Sequence, residues 1–280
     1  MMGPSLMGSA LGTRISSALP EIDIPQPIDL TPENTIPDVT AGLAWWPVVA
    51  VLVLLLMINV AAHRTGQRLY MFWAIGGSVV VLSLGRLDGS SWTDLGMAPR
   101  TWVSGFVWGL ACMALIFVVY AVGSSWKRTR NTFGDQNIAV MSRFLVYWKA
   151  LVELPFGTVM FEEIAFRAVL WSMLARRMDV WQATLIAALL FGLWHILPSL
   201  DLHLRNPALS AGKNSRVAQL TAIAGSVVTT SIGALVFTAL RVVSGSILAP
   251  MGMHWATNGW GYLFARRVTA RKDVEGAQDA

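Results

Sequence analysis

The chain has 280 residues, of which 55% are hydrophobic and only 13% are charged, and its mean hydropathy is +0.56. Soluble domains carry about 25% charged residues, so this composition excludes a soluble multidomain enzyme. The single cysteine, Cys112, excludes an intrachain disulfide scaffold. The net charge of +5 arises from short basic clusters between apolar runs, a distribution typical of membrane proteins. We therefore expect a lipid bilayer as the partner of the chain, and no nucleic acid.

Residues 1–41 differ in composition from the rest of the chain. They contain six of the twelve prolines and five acidic residues against one basic residue, Arg14. No sustained apolar period is present, and the stretch lacks the charged start and apolar segment of a cleavable signal peptide. We predict a disordered, Pro-rich, acidic tail that precedes an uncleaved membrane anchor.

Apolar runs long enough to cross a bilayer follow in succession, because about 20 helical residues cover about 30 Å of hydrocarbon. The sequence predicts an all-α, polytopic transmembrane helix bundle with about seven spans. The predicted spans are 43–62, 69–85, 102–123, 154–175, 179–197, 218–241 and 244–265. Within the sixth span, the small residues Gly225, Ser226 and Gly233 are expected to permit close contact between helices.

Residues 137–152 form a weaker candidate, because charged side chains bracket a short apolar patch. We interpret them as an interfacial or re-entrant helix before the fourth span, with Pro155 at the start of that span, where proline is tolerated. An eighth span is the alternative. The predicted organisation is a tail (1–41), N-terminal spans (42–136), a catalytic helical core (137–268) and a charged C-terminal tail (269–280).

The distribution of basic residues predicts the orientation. With seven spans and the N-terminus outside, the inside segments contain fourteen Lys and Arg residues and the outside segments contain six. Positive charge favours the cytoplasmic side, so the N-terminus is expected outside and the C-terminus inside. The expected location is the plasma membrane of a bacterial cell.

Strongly polar side chains are few within the predicted spans, and each costs about 2.5–3.5 kcal/mol on insertion scales. They fall in three short motifs on the fourth, fifth and last spans. The motifs are FEEIAFRAVL with Glu162, Glu163 and Arg167, FGLWHIL with His195, and MHWATN with His254 and Asn258. Alternating helix directions place all three between the inner surface and the bilayer centre. We expect them to form one polar site.

Helix spacing separates the roles of the residues in the first motif. Glu163 and Arg167 stand four residues apart, so they share a helix face and can form a buried ion pair. Glu162 points about 100° away from Glu163 and is freer to meet another helix. Phe191 stands four residues before His195 on the same face and is expected to support it by packing.

A carboxylate, two histidines and an amide suit hydrolysis. Glu162 can act as general base on a water, and His195 can hold or share the proton. His254 and Asn258 can donate hydrogen bonds to a developing oxyanion, each worth about 3–4 kcal/mol. Taken singly, a pair such as Glu163 and Arg167 is more often a helix-packing pair than a catalytic one. His195 alone could cap a helix end before Pro198, and His254 and Asn258 could form interhelical hydrogen bonds.

The three motifs resemble those of a known family. EEIAFR, FGLWH and HWATN resemble the EExxxR, FxxxH and HxxxN motifs of the CPBP (Abi) family, in the same order and within about 100 residues. This family comprises type II CAAX prenyl endopeptidases and bacteriocin-processing or self-immunity membrane proteins. The resemblance covers residues 145–267. A glycine often follows the motif arginine, and Ala168 replaces it here.

The resemblance implies an all-helical intramembrane endopeptidase whose site opens toward the cytosol and whose substrate is a hydrophobic or lipidated peptide or protein. It implies Glu162 as the base with His195, an oxyanion site of His254 and Asn258, and a supporting pair of Glu163 and Arg167. Two other functions stay open. They are a non-catalytic membrane protein of the same fold, such as a self-immunity or scaffold factor, and a proton-coupled transporter.

No cofactor is assigned from the sequence. The family is often called a metalloprotease, and a divalent metal such as zinc stays an alternative, with Glu162, His195 and His254 as the ligands. The HExxH pattern, which places two histidines one helical turn apart, is absent from the sequence. We therefore expect water activated by glutamate rather than by a metal.

Overall fold

The computed structural model describes residues 43–65, 67–126, 128–133, 138, 140–205 and 214–278. All of them lie in one compact unit, Asp38–Ala280. They form helices and connecting loops without any strand, which confirms the predicted all-α polytopic bundle. The predicted tail 1–41 lies outside the described residues.

Seven helices of 15 residues or more occur in the described residues. They are α1 (Trp46–Thr65), α2 (Gln67–Leu87), α3 (Trp102–Ser125), α4 (Arg143–Ala175), α5 (Val180–Trp194), α6 (Ser215–Ser244) and α7 (Leu248–Gln278). Two short helices, Ile196–Ser199 and Leu202–Arg205, follow α5. The last helix continues through most of the residues predicted as a C-terminal tail.

Five of these helices are long and apolar enough to cross a membrane, or six if α5 and the bent segment after it count as one span. The protein is thus an integral, multi-pass membrane protein. The seventh predicted span, 244–265, lies on α7. That helix is long enough to cross but less apolar, because it includes polar residues such as His254 and Asn258.

The prediction of a separate interfacial helix before the fourth span is wrong. The chain from Arg143 to Ala175 is one helix of 33 residues, and residues 143–152 are its first turns rather than an eighth span. Pro155 lies inside it, not at its start. The proline falls in a π-helical stretch, Lys149–Val159, where the hydrogen bonding already departs from the α pattern.

Two pairs of helices approach each other closely at glycine residues. A Cβ on Gly252 of α7 would lie 2.7 Å from the Gly109 Cα of α3, so only glycine permits this crossing. On α5, a Cβ on Gly192 would lie 2.7 Å from the Val227 carbonyl oxygen of α6. A Cβ on Gly225 or Gly233 would meet no atom of the described residues within 4 Å, so the close helix contact predicted at these two glycines is wrong within the described part of the chain.

Hydrogen bonds from two arginines connect the loop after α2 and the ends of neighbouring helices. Arg177, just beyond α4, donates to the Asp88 carboxylate (2.9 Å) and to the Ala44 carbonyl before α1 (2.7 Å). Arg241, near the end of α6, donates to the carbonyl oxygens of Thr93 (3.1 Å) and Asp94 (2.8 Å). These bonds connect the helices at one end of the bundle. The polar motifs lie further along the helices, away from these bonds.

Candidate active site

Helix α4 carries the first motif through the most buried part of the bundle. All residues from Glu163 to Leu170 are buried, in a second π-helical stretch with Glu162 at its edge. Single π-helical turns occur frequently at functional sites. Glu162, Glu163 and Arg167 are 3%, 0% and 1% exposed, so three ionisable groups lie together away from water.

Glu163 occupies the centre of this cluster. Its Oε1 lies 3.3 Å from Arg167 Nη1, so the predicted ion pair is present. The same oxygen accepts a 2.7 Å hydrogen bond from His254 Nδ1. Because a carboxylate oxygen can only accept, Nδ1 carries the proton, and His254 Nε2 donates only when the ring is doubly protonated.

Glu162 faces the opposite side of His254. Its Oε1 accepts a 3.2 Å hydrogen bond from the indole N–H of Trp194. Its Oε2 has no hydrogen-bond partner among the described residues and lies 3.8 Å from His254 Nε2. That separation is too long for a direct hydrogen bond.

His195 lies at the break that follows α5. The helix ends at Trp194, and the chain bends by 41° into the next helical segment. The His195 Nδ1 donates to the Phe191 carbonyl at 2.8 Å, which leaves the Nε2 lone pair available. No ion pair or hydrogen bond joins His195 to Glu162 in the described part of the chain. The structure thus brings His254, not His195, next to that carboxylate.

Asn258 lies one helical turn beyond His254 on α7. The residue is partly buried, and no hydrogen bond occupies its side chain within the described residues. It therefore belongs to the same helix face as His254 and has donor and acceptor capacity to spare. Among the described residues, no hydrogen bond joins its carboxamide to either glutamate.

Aromatic rings enclose the cationic side of the cluster. The Arg167 guanidinium carbon lies 3.9 Å from the centroid of the Phe191 ring and 5.0 Å from that of Phe237. The His254 ring stacks on Phe237 at 5.1 Å between centroids. These cation–π contacts support a guanidinium whose Nη atoms make no hydrogen bond with the described residues. Phe191 thus packs against His195 and Arg167 together.

Sequence reasoning missed three residues at or near the site. Trp194 donates to Glu162, and its position next to the motif histidine was the available signal. Phe237 of α6 supports both His254 and Arg167, and nothing in its apolar sequence context distinguishes it. Tyr70 of α2 lies within electrostatic range of Glu162 and interacts with Thr158.

The donor set does not fit a catalytic zinc. Such a site needs three protein ligands that converge on one point. Of the three proposed ligands, only Glu162 and His254 lie near each other in the described residues, with Oε2 and Nε2 3.8 Å apart. The other ring nitrogen of His254 already donates to Glu163. No group of three or more His, Cys, Asp or Glu residues is arranged for a metal among the residues that the structure describes.

The structure is a multi-pass helical bundle in which the buried Glu162 and Glu163 lie beside the buried His254. These features define a membrane protein with a buried polar site. Residues 144–260 match the family model described as type II CAAX prenyl endopeptidase Rce1-like. No curated protein and no solved structure matches the chain. This match agrees with the resemblance to the CPBP family of CAAX-type proteases that the motifs indicated. The match supports a CAAX-type protease at the level of the family.

Proposed function

We propose that the protein hydrolyses a peptide bond in a membrane-associated or lipidated substrate by means of a water activated by Glu162. The observation that carries this proposal is the free Oε2 of Glu162, which is buried 3.8 Å from His254 Nε2. A buried carboxylate oxygen without a partner is costly, and a water admitted between the two atoms on substrate binding would satisfy it. The same water is the nucleophile.

The proton has a defined route in this proposal. Glu162 Oε2 takes a proton from the water while the water oxygen attacks the carbonyl carbon of the substrate. When the tetrahedral intermediate collapses, the C–N bond breaks and the proton passes from Glu162 to the departing amine. The products are a carboxylate and an amine, and the glutamate is regenerated. No step requires a metal.

Three other side chains assist this reaction in the proposal. Asn258 donates its amide N–H to the developing oxyanion, and a doubly protonated His254 donates from Nε2. His195 shares the proton through its free Nε2. Glu163 and Arg167 hold the His254 ring in place, since Glu163 accepts its Nδ1 proton and Arg167 balances the charge of Glu163.

The substrate class follows from the family and from the surroundings of the site. The match to type II CAAX prenyl endopeptidases favours a protein with a prenylated C-terminus as substrate. A site enclosed by helices within the bilayer also favours a chain that already resides at the membrane. We further propose a bacterial plasma-membrane location with the N-terminus outside, because basic residues concentrate on the opposite side.

The test compares two isosteric substitutions on the same helix. Glu162→Gln removes the base, and Glu153→Gln removes a carboxylate that is paired with Lys149, outside the motif. Both variants are reconstituted in lipid nanodiscs with a farnesylated peptide that ends in a CAAX sequence, and the released tripeptide is measured by mass spectrometry. An unprenylated peptide of the same sequence tests the lipid requirement.

We expect Glu162→Gln to lower turnover by at least about 10²-fold, in the range of general-base catalysis, and Glu153→Gln to retain most of it. Cleavage by Glu162→Gln at the wild-type rate would refute the assigned base. Failure of the wild-type protein to cleave either peptide would favour the non-catalytic function for this fold.

A further inference from the structure

The break after α5 leaves a main-chain carbonyl that its own helix cannot satisfy. In a continuous helix, the Trp194 carbonyl would accept from the N–H of residue 198. Residue 198 is proline, which has no N–H. Water is scarce inside a bilayer, so an unpaired carbonyl at this depth requires another donor.

A side chain from a distant helix supplies that donor. The Nδ2 of Asn59, on α1, donates to the Trp194 carbonyl at 2.9 Å. Asn59 is only 8% exposed and lies in an otherwise apolar stretch of α1. An amide in such a stretch is expected to have a specific partner. Asn59 also lies outside the residues that match the family model, 144–260.

The carbonyl that Asn59 holds belongs to a residue that contacts the site directly. The indole N–H of Trp194 donates to Glu162 Oε1 at 3.2 Å. The next residue, His195, is oriented through its own bond to the Phe191 carbonyl. The bond from Asn59 fixes the main chain at Trp194, where the helix breaks. It therefore restricts the positions of both the Trp194 indole and the His195 imidazole.

We propose that Asn59 is a positioning residue of the site: it replaces the hydrogen bond that Pro198 cannot make and thereby sets the Trp194 indole against Glu162. The effect on catalysis rests on the proposed function, whereas the effect on Trp194 does not. A bond that merely joined two helices would alter stability and leave the environment of the indole unchanged.

The first experiment reads the position of Trp194 without any substrate. The full-length protein is labelled with 5-fluorotryptophan in nanodiscs, and the Trp194 resonance is assigned by its loss in Trp194→Phe. We expect Asn59→Ala to shift this resonance. Ser78→Ala is the matched control, because Ser78 is also buried and donates only within its own helix, to the Ala74 carbonyl. An unshifted Trp194 resonance in Asn59→Ala would overturn the proposal.

The second experiment measures turnover of the farnesylated peptide in a double-mutant cycle with Pro198→Ala. We expect Asn59→Ala to lower kcat by about tenfold or more and to change KM by less than about threefold, since small misplacements cost rate rather than binding. In the Pro198→Ala background, residue 198 can donate to the Trp194 carbonyl, so Asn59→Ala should cost less. Strictly additive effects of Asn59 and Pro198 would contradict the proposal.

The two experiments separate two kinds of failure. If the wild-type protein does not hydrolyse the peptide, the proposed function fails, and the fluorine spectrum alone decides the role of Asn59. If the peptide is cleaved but Asn59→Ala behaves like Ser78→Ala in both measurements, the proposed function stands and Asn59 is not a positioning residue.

Discussion

Replacing Arg167 with methionine tests whether its charge holds the cluster together. Methionine keeps the apolar volume between Phe191 and Phe237 but removes the cation that lies 3.3 Å from Glu163 Oε1. The two side chains are 1% and 0% exposed, so water cannot replace the lost partner. Removing one member of a buried ion pair costs about 3–5 kcal/mol.

The double variant Glu163→Gln/Arg167→Met gives the decisive comparison. It removes both charges, and replacing a whole buried pair by neutral groups is often close to neutral in stability. Glutamine can still accept the hydrogen bond from His254 through its amide oxygen. We therefore expect the double variant to lose less than about 2 kcal/mol, well below the sum of the two single variants.

The assay is reversible unfolding in mixed detergent micelles, followed by far-UV circular dichroism. Arg64→Met, at the exposed end of α1, is the control for a change in net charge and should stay within about 0.5 kcal/mol of wild type. If the double variant loses the sum of the single losses, Glu163 and Arg167 do not stabilise each other and the reasoning is refuted.

Two further predictions concern the oxyanion site and the helix crossing. Asn258→Ala should lower kcat by about 10²–10³-fold in the peptide-cleavage assay and change KM little, because the loss of an oxyanion donor has this effect. A change confined to KM would instead indicate that Asn258 acts in substrate binding. Gly252→Val should lower the unfolding free energy by about 1–3 kcal/mol, because its Cβ meets the backbone of Gly109. Gly225→Val, at a position where a Cβ meets no described atom within 4 Å, is the matched control, and equal losses in the two variants would contradict the crossing.

Local features of the site were predictable because they depend on the geometry of one helix. The Glu163–Arg167 pair follows from a spacing of four residues, whichever helices surround it. The three motifs were also recognisable as one group, since polar side chains are rare in apolar spans. By contrast, the continuity of α4 through Pro155 was not predictable, because a π-helical stretch leaves no clear pattern in the sequence.

Features that join distant parts of the chain depended on packing. His254 and Glu163 are 91 positions apart, and the rotation of α7 against α4 decides that this histidine, rather than His195, meets the glutamates. Asn59 and Trp194 are 135 positions apart and meet only because α1 packs beside the break after α5. No periodicity within one segment reports how two helices are rotated against each other.

The sequence by itself determined that lipid surrounds this protein, which segments are helical, and which few polar residues lie within them. These properties follow from composition and from the 3.6-residue period, which are local. The tertiary structure alone decided which polar groups are paired and which buried oxygens of the described residues have no hydrogen-bond partner, Glu162 Oε2 among them. Pairing depends on the depth and rotation of whole helices, which close approaches such as that of Gly252 to Gly109 set.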